Sequence, residues 1–526
     1  TVSPSLGENS LSAMVLAGLI AYALIVVLMT LLYRLPGFLA CIALAGQVAA
    51  TLAFVSGYFP VFESFTLTLP GIAGIILAIG MGVDANVITA ERIKEELNNG
   101  KSLDGALKSG FARGLTPIID GNVTIVIVAI VLMGAFGPSD GLFAKALHFV
   151  FFAFGPSTAG TIYAFGYTLL TGVLLNFVFG VFATRVMIRG AASIKALRNP
   201  WLYGAVKPGK EVKEKKPIDF VGLRKRFLTI STCLMAAIIL CAAVFGVRLD
   251  TEFTGGAMLT LSYQGEISTS EVQKTASTAL ENNGLTLQTG ENVATGEQTL
   301  KISMPGNETV TTDQVENLLT SLNEQYPDNA FAQLSLSNVS AAMGTKFLQK
   351  SLVAVVFSLL LILLYIGFRF KKIGGLTGGL MAVLALLNDL MVVFGTFVLL
   401  CTPLDGNFIA AMLTILGYSI NDTVVVYDRI RENRALMGKK TPFEELVNHS
   451  VNQSARRTII TTVTTVMALG VMCVVSKLYG LDSIFTFAFP LMMGMLSGVY
   501  TSLCVSTSAW VLWNDRKSKK AETKKV

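Results

Sequence analysis

Hydrophobic stretches long enough to cross a bilayer recur along most of this chain, separated by polar stretches of unequal length. About 20 apolar residues cross the hydrocarbon core as a helix. Runs of that kind cover 11–33, 37–57, 66–89, 116–135 and 159–184, then 227–247, 347–368, 375–400, 408–427, 458–476 and 484–511. The pattern predicts eleven spans, five before a basic stretch at 190–226 that carries Pro200, Pro208 and Pro217, and six after it. Residues 248–346 break the pattern. There 257–263, 299–304 and 332–336 read as strands, and 268–282 and 312–324 as helices opened by Ser or Thr caps. That order predicts a small ferredoxin-like α/β domain.

The resulting organisation is a transmembrane half at 1–189, a basic linker at 190–226, a first span of the second half at 227–247, the polar domain at 248–346, a helical bundle at 347–513 and a basic tail at 514–526. Composition agrees: 52% of the residues are hydrophobic and 14% charged, against about a quarter charged in soluble domains. The six cysteines lie in or at the edge of apolar runs and read as buried small hydrophobes, not as a disulfide framework. The apolar run from Leu11 has no basic region before it and does not read as a signal peptide. A piece upstream of Thr1 is therefore expected.

A net charge of +7 raises nucleic acid or an anionic membrane face as partners, and the placement of the charges decides between them. Alternating spans put 34 of the 41 Lys and Arg residues on one side. By the positive-inside rule that side is cytoplasmic and the 248–346 domain faces outward. Topology accounts for the charge, and no nucleic-acid partner is needed.

The chain also resembles itself. Gly80-Met-Gly-Val-Asp84-Ala-Asn86 lines up with Gly417-Tyr-Ser-Ile-Asn421-Asp422-Thr423, and Glu91-Arg92-Ile93 with Asp428-Arg429-Ile430, each 337 residues apart. Asn122-Val-Thr-Ile and Thr462-Val-Thr-Thr follow in their respective copies, and Tyr33-Arg34 and Phe368-Arg369 mark corresponding helix ends. This is one large duplication running in the same sense, so a pseudo-twofold along the membrane normal is expected.

Each copy carries acid inside an apolar stretch. Asp84 follows a run from Phe65, and Asp422 a run from Phe408. Such a charge costs about 3 kcal/mol to insert, and residues of this kind face a bundle interior and mark ion paths. Against this, Asp84 stands only seven residues before Glu91, about 10 Å of helix, so solvation from the interface competes. A carboxyl held away from water can take up and release protons, and a nearby cation shifts that equilibrium. Arg457, with Arg456 beside it, is the best-placed cation; each otherwise reads as an interfacial anchor. Asp120 is either a second relay group or a solvated helix end. Asp389 reads as paired with nearby polar side chains. Asn86, Asn421, Thr423 and Thr462 are candidates to support the carboxylates. Gly374/Gly378, Gly375/Gly379 and Gly494/Gly498 have the spacing that favours close helix contact. No HExxH, Walker loop, GxSxG or Rossmann motif occurs, and His148 and His449 are the only histidines. Neither an enzyme nor a cofactor or metal site is expected.

Leu69-Pro70-Gly71-Ile-Ala-Gly74, the Asp84 motif and Glu91-Arg92-Ile93-Lys94-Glu95-Glu96-Leu97 resemble SecD. Thr254-Gly255-Gly256, the run from Gly417 through Asn421, Asp422 and Thr423 to Asn433, and Arg457-Thr458-Ile459-Ile460-Thr461 resemble SecF. The resemblance to this protein-export family covers nearly the whole chain. It implies a resistance-nodulation-division helical bundle in the bacterial cytoplasmic membrane that assists the SecYEG channel and the SecA motor, with YajC and YidC as further partners. Preproteins are the cargo and protons the driving ion. The family's proton path maps onto Asp84, Asp422 and Arg457, with Asn86, Asp120, Asn421, Thr423 and Arg456 as possible support. Two departures stand out. The SecD half begins at Ser3-Pro4-Ser5-Leu6-Gly7, without the family's first span and first large outward domain. Residues 136–158 read as an insertion along the outer interface, with Phe136-Gly-Pro-Ser139 echoed at Phe154-Gly-Pro-Ser157. Two rivals remain: a related exporter of small molecules or lipids, and a passive scaffold that moves no ion.

Overall fold

In a bilayer each backbone N–H and C=O needs an internal partner, so apolar runs fold as helices. The computed structural model describes residues 4–56, 58, 69–155, 160–206, 217–264, 267, 269–280, 285–292, 297–305, 310–339, 341–438, 440–479 and 481–523. Residues 66–68 and 159 at the edges of predicted spans, 268 and 281–282 of a predicted helix, Pro208 and the Pro156-Ser157 echo lie outside these.

The first half comprises α1 (Pro4–Val55), α2 (Leu69–Asn98), α3 (Leu103–Phe136), the short α4 (Leu142–Ala146) and α5 (His148–Phe151), α6 (Gly160–Asn176) with a π-helical turn at Phe177–Ala183, and α7 (Thr184–Ser193). After the linker come α8 (Arg224–Phe245) and the short α9 (Thr251–Thr254), then the polar domain. That domain holds β1 (Gly256–Tyr263), α10 (Thr269–Ala279), β2 (Thr286–Asn292), β3 (Glu297–Pro305), α11 (Thr312–Gln325) and β4 (Ala332–Val339). The second bundle follows: α12 (Ala341–Arg369), α13 (Gly375–Leu399), α14 (Gly406–Met437), α15 (Phe443–Leu478), α16 (Asp482–Tyr500), a second π-helical turn at Thr501–Ser506, and α17 (Thr507–Thr523).

Among the described residues, 10 helices are long and apolar enough to cross a membrane. The first of them breaks at Arg34, whose φ of 53° and ψ of −124° are not helical. The break is pinned from the linker: the Arg34 guanidinium donates to the Trp201 carbonyl and stacks 4.1 Å from the Trp201 ring. Burial ranks the helices. In its most apolar window α14 is 94% buried, against 11% for α8, so α14 is the axis of the bundle and α8 its rim. Cys41, Cys473 and Cys504 are buried, whereas Cys233 and Cys401 are exposed and Cys241 is half-buried. The expectation that all six are buried is corrected, because an apolar run in a membrane has a lipid-facing side as well as a protein-facing one.

In the polar domain the strands pair antiparallel in the order β2-β3-β1-β4. Alternate residues Ala257, Leu259 and Leu261 of β1 and Leu300, Ile302 and Met304 of β3 join Val272, Leu318 and Leu322 of the helices in one core. A capping box starts α11: Gln314 N–H donates to the Thr311 hydroxyl, and the Gln314 side chain accepts from Thr311 N–H. Strand β2 is absent from the expected set. Its sequence, Thr286-Leu-Gln-Thr-Gly-Glu-Asn292, is polar and holds a glycine, as suits a sheet edge and as hides it from a pattern search.

The described part of the 136–158 segment, up to Gly155, holds α4, α5 and a 3-10 turn at Phe152–Phe154. Phe149 and Phe151 pack edge-on against Phe357 of α12, and Lys350 donates to the Gly155 carbonyl. Leu142, Phe149 and Phe152 remain exposed.

Candidate functional site

Glycines bring the two repeats together. A β-carbon on Gly80 of α2 would lie 3.0 Å from the Thr465 hydroxyl of α15, and one on Gly417 of α14 would lie 3.3 Å from Ile125 Cα of α3. The same motif glycine therefore admits the opposite repeat in each half. The Tyr418 and Thr465 hydroxyls share a hydrogen bond, and Thr124 donates to the Gly417 carbonyl at 3.4 Å.

Between these contacts sit the charged residues. The Arg457 guanidinium of α15 forms an ion pair with the Asp84 carboxylate of α2. Side-chain exposure is 7% for Arg457 and 13% for Asp84, so solvent screens the pair little. The Asn421 amide donates to the other Asp84 oxygen at 2.9 Å. Asp422, 5% exposed, lies one residue further along α14, within electrostatic reach of Arg457 and Asp84, with Thr462 as its hydroxyl neighbour. Two Arg457 nitrogens, Nε and Nη1, are buried and have no hydrogen-bond partner. One cation thus stands between two acids and engages one of them.

The other candidates fall elsewhere. Asn86 donates to the Gly82 carbonyl of its own helix at 3.1 Å. Thr423 turns to Ser502 at 2.8 Å, away from the carboxylates, because one position along a helix rotates a side chain by about 100°. Arg456 is 55% exposed and approaches Glu91 at 3.5 Å. Asp120 is buried, accepts from Arg369 Nε at 2.8 Å and from the Tyr365 hydroxyl at 3.2 Å, and so ties α3 to α12.

On the basic side of the pair a cavity of about 410 Å³ opens, lined by Arg92, Glu95, Arg429, Gln453 and Arg456 and reaching Arg457. Its rim is a network that sequence reasoning treated only as a repeat marker. Glu432 of α14 accepts from Arg92 at 2.9 Å, from Arg429 at 2.7 Å and from Arg113 of α3, and Arg429 also reaches Glu95 at 2.8 Å. The arrangement can hydrate one end of the buried pair while closely packed helices close the other.

Comparison with known proteins fits this architecture. The chain matches the family described as protein export membrane protein SecD/SecF, C-terminal, over residues 1–170 and 318–516. It is 31% identical over 532 residues to the protein translocase subunit SecDF of Bacillus subtilis, an overlap of 99% of this chain and 66% of that one. With SecDF of Thermus thermophilus it is 31% identical over 453 residues, covering 84% of this chain and 54% of that one. The protein translocase subunit SecF of Alicyclobacillus acidocaldarius is 31% identical over 310 residues, 58% of this chain and 96% of that one. The crystal structure of SecDF, a translocon-associated membrane protein from Thermus, superposes with a TM-score of 0.80 at 28% identity, over 98% of this chain and 64% of that one. SecDF in its super-membrane-facing form gives 0.71 at 28% identity, over 99% and 64%. The chain therefore spans 66% or less of the SecDF proteins named here. Its many apolar helices and these relatives make it a multi-pass membrane protein, and it belongs to the SecD/SecF family of protein-export membrane proteins.

Proposed function

We propose that this chain promotes protein export by the Sec translocase across the bacterial cytoplasmic membrane, using the proton-motive force. The break at Arg34 divides 44 apolar residues, about 66 Å of helix, which is twice a hydrocarbon core of about 30 Å. We therefore count eleven crossings, five and six, with the basic side cytoplasmic. The polar domain, read as ferredoxin-like from its βαββαβ order, then faces outward.

The observation that carries the reading is the Arg457–Asp84 pair with Asp422 beside it at the seam between repeats. A proton reaching Asp84 neutralises it and releases Arg457, whose idle nitrogens can then engage Asp422. The helices that bear the three residues, α2, α14 and α15, shift their packing as the pair is exchanged. One proton crossing 100 mV supplies about 2.3 kcal/mol, the scale on which one buried pair is traded for another. The cavity lined by Arg92, Arg429 and Arg456 is the aqueous end of the path, and the outward domain carries the motion to the preprotein. SecYEG and SecA are the partners this role engages, with YajC and YidC as further candidates.

The test is preprotein translocation into vesicles under an imposed proton gradient, with Asp84→Asn/Asp422→Asn at full expression. Export that no longer responds to the gradient is expected; an unchanged response refutes proton coupling.

A further inference from the structure

The second repeat holds a carboxyl that the Asp84–Arg457 pair leaves unexplained. Asp389, midway along α13, is 0% exposed. Its Oδ1 accepts from the Ser497 hydroxyl at 2.5 Å and the Thr501 hydroxyl at 3.0 Å. Its Oδ2 accepts from Ser419 at 2.6 Å and from Thr501 at 2.8 Å. The neighbouring Asn388 accepts from Ser231 of α8 at 2.6 Å and donates to Ser497 at 3.3 Å. Four helices thus converge on this point.

Among the described residues no Lys or Arg pairs with Asp389; the groups acting on it are hydroxyls and one amide. Among the described residues, the titratable and charged groups on the elements packed around α13 are Arg224, Lys225, Arg226, Cys233 and Cys241 of α8, Lys346, Lys350, Tyr365 and Arg369 of α12, Lys371 and Lys372 of the turn before α13, Tyr418, Asp422, Tyr427, Asp428, Arg429, Arg431, Glu432 and Arg434 of α14, Tyr500 of α16, Cys504 of the π-helical turn, and Asp515, Arg516 and Lys517 of α17. None of them hydrogen-bonds Asp389. Burying an unpaired carboxylate costs several kcal/mol, and hydroxyl donors offset only part of that. A neutral carboxylic acid avoids the charge and still fits the cage, because Ser and Thr hydroxyls accept as readily as they donate.

A second feature gives that proton a route. Ser419, Thr423 and Tyr427 recur every four residues on one face of α14. The π-helical turn at Thr501–Ser506 lays its own hydroxyls along that face: Ser502 meets Thr423 at 2.8 Å, and Ser506 meets Tyr427 at 2.6 Å. Gly498 allows the approach, since a β-carbon there would lie 3.0 Å from the Ser419 hydroxyl. The rungs are about 6 Å apart along the helix and descend from Asp389 toward Asp428 at the basic end. The first repeat has no counterpart, because α1 beyond Arg34 contains no Asp or Glu.

We infer that Asp389 is a second proton-binding carboxyl, confined to the second repeat, which exchanges its proton with the basic side along the Ser419, Thr423 and Tyr427 hydroxyls. Its use in a transport cycle rests on the proton-coupled reading above, but its protonation does not.

Infrared difference spectroscopy of the full chain in lipid nanodiscs, titrated across the neutral range, tests this without any export measurement. A protonated-carboxyl C=O band is expected that fades as pH rises, is lost in Asp389→Asn, persists in Asp84→Asn/Asp422→Asn and changes frequency in the carboxyl-retaining Asp389→Glu. Thr423→Val should slow the deuterium exchange of that band at least about tenfold. A wild-type spectrum with no such band, a band present at every pH, or a band displaced by sodium at constant pH would each overturn the inference. Failure of export in Asp84→Asn/Asp422→Asn to respond as proposed would leave these spectra untouched, so the two readings fail separately.

Discussion

Asp84 accepts a hydrogen bond from Asn421, the residue 337 positions later that occupies the same place in the second repeat. Two residues related by a twofold can touch each other only on the axis. The contact therefore marks the pseudo-axis of the bundle, and the duplication has made it unequal: a carboxylate on one side, an amide on the other. Exchanging them tests whether the axis or the particular helix matters. Asp84→Asn alone should cut gradient-driven export at least about tenfold, a loss of about 1.4 kcal/mol of coupling. Asp84→Asn/Asn421→Asp, which keeps one carboxyl on the axis beside Arg457, should recover part of it in the same vesicle assay.

Gly121 of α3 leaves no room for a β-carbon against the Asn421 side-chain oxygen. Gly121→Ala must push the amide aside and take away the Asp84 partner while leaving the Arg457 pair in place. A lost hydrogen bond to a charged group costs about 1.5–3 kcal/mol. The expected result is a folded protein with a lowered melting temperature and weakened gradient-driven export, and Gly121→Ala/Asn421→Ala, which relieves the clash but still lacks the hydrogen bond, should melt at the same temperature as Asn421→Ala alone.

Removing Arg457 should be worse for folding than removing both partners. Arg457→Met strands the Asp84 carboxylate among helices, and breaking a buried pair from one side costs about 3–5 kcal/mol. Asp84→Asn/Arg457→Met removes the carboxylate that was paired and should melt closer to wild type, yet export no better than the single variants. Thermal unfolding in detergent reads the first effect and vesicle translocation the second.

Much of this was legible in the sequence, for physical reasons. Apolar runs and the Lys and Arg partition are one-dimensional signals, and the 337-residue offset located Asp84, Asn421 and Asp422 without coordinates. Pairing across the repeats was not legible. Arg457 meets Asp84, 373 positions away and in the other repeat, and whether it faces that acid or Asp422 depends on how α2, α14 and α15 rotate about their axes. The same holds for Thr423, one residue beyond Asp422 yet turned to Ser502, and for the Asp389 cage, which draws hydroxyls from α14 and the last span. Strand β2 escaped because a polar edge strand carries little apolar alternation.

Asp120 and Arg369 tie the repeats together at a second point, away from the axis. Its partners Arg369 and Tyr365 fix Asp120 as an anchor. Asp120→Asn should lower stability by about 1–2 kcal/mol in thermal unfolding while gradient-driven export per folded molecule stays within about twofold of wild type. Loss of the gradient response in a fully folded variant would place Asp120 in the relay.

The stem of the polar domain connects it mechanically to the site helix. Arg248 and Asp250 exchange backbone hydrogen bonds with Leu404 at 2.9 Å, and Glu252 accepts from Gly406 N–H, the first residue of α14, at 2.8 Å. The chain then turns through Gly255 and Gly256 at φ of 76° and 123°, a region that penalises a β-carbon. Gly344 of α12 closes against this turn, where a β-carbon would lie 2.7 Å from Gly255 N and 2.9 Å from the Phe253 carbonyl. Both contacts are with backbone, which cannot step aside as a flexible side chain can. Gly344→Ala should therefore pry the stem from α12 while Asp84, Asp422 and Arg457 stay in register. Hydrogen exchange should rise in 248–256 and not in α2 or α15, and gradient-driven export should fall several-fold, about 1 kcal/mol of lost coupling. Equal exchange in the stem of variant and wild type would mean that this turn does not transmit the motion of α14.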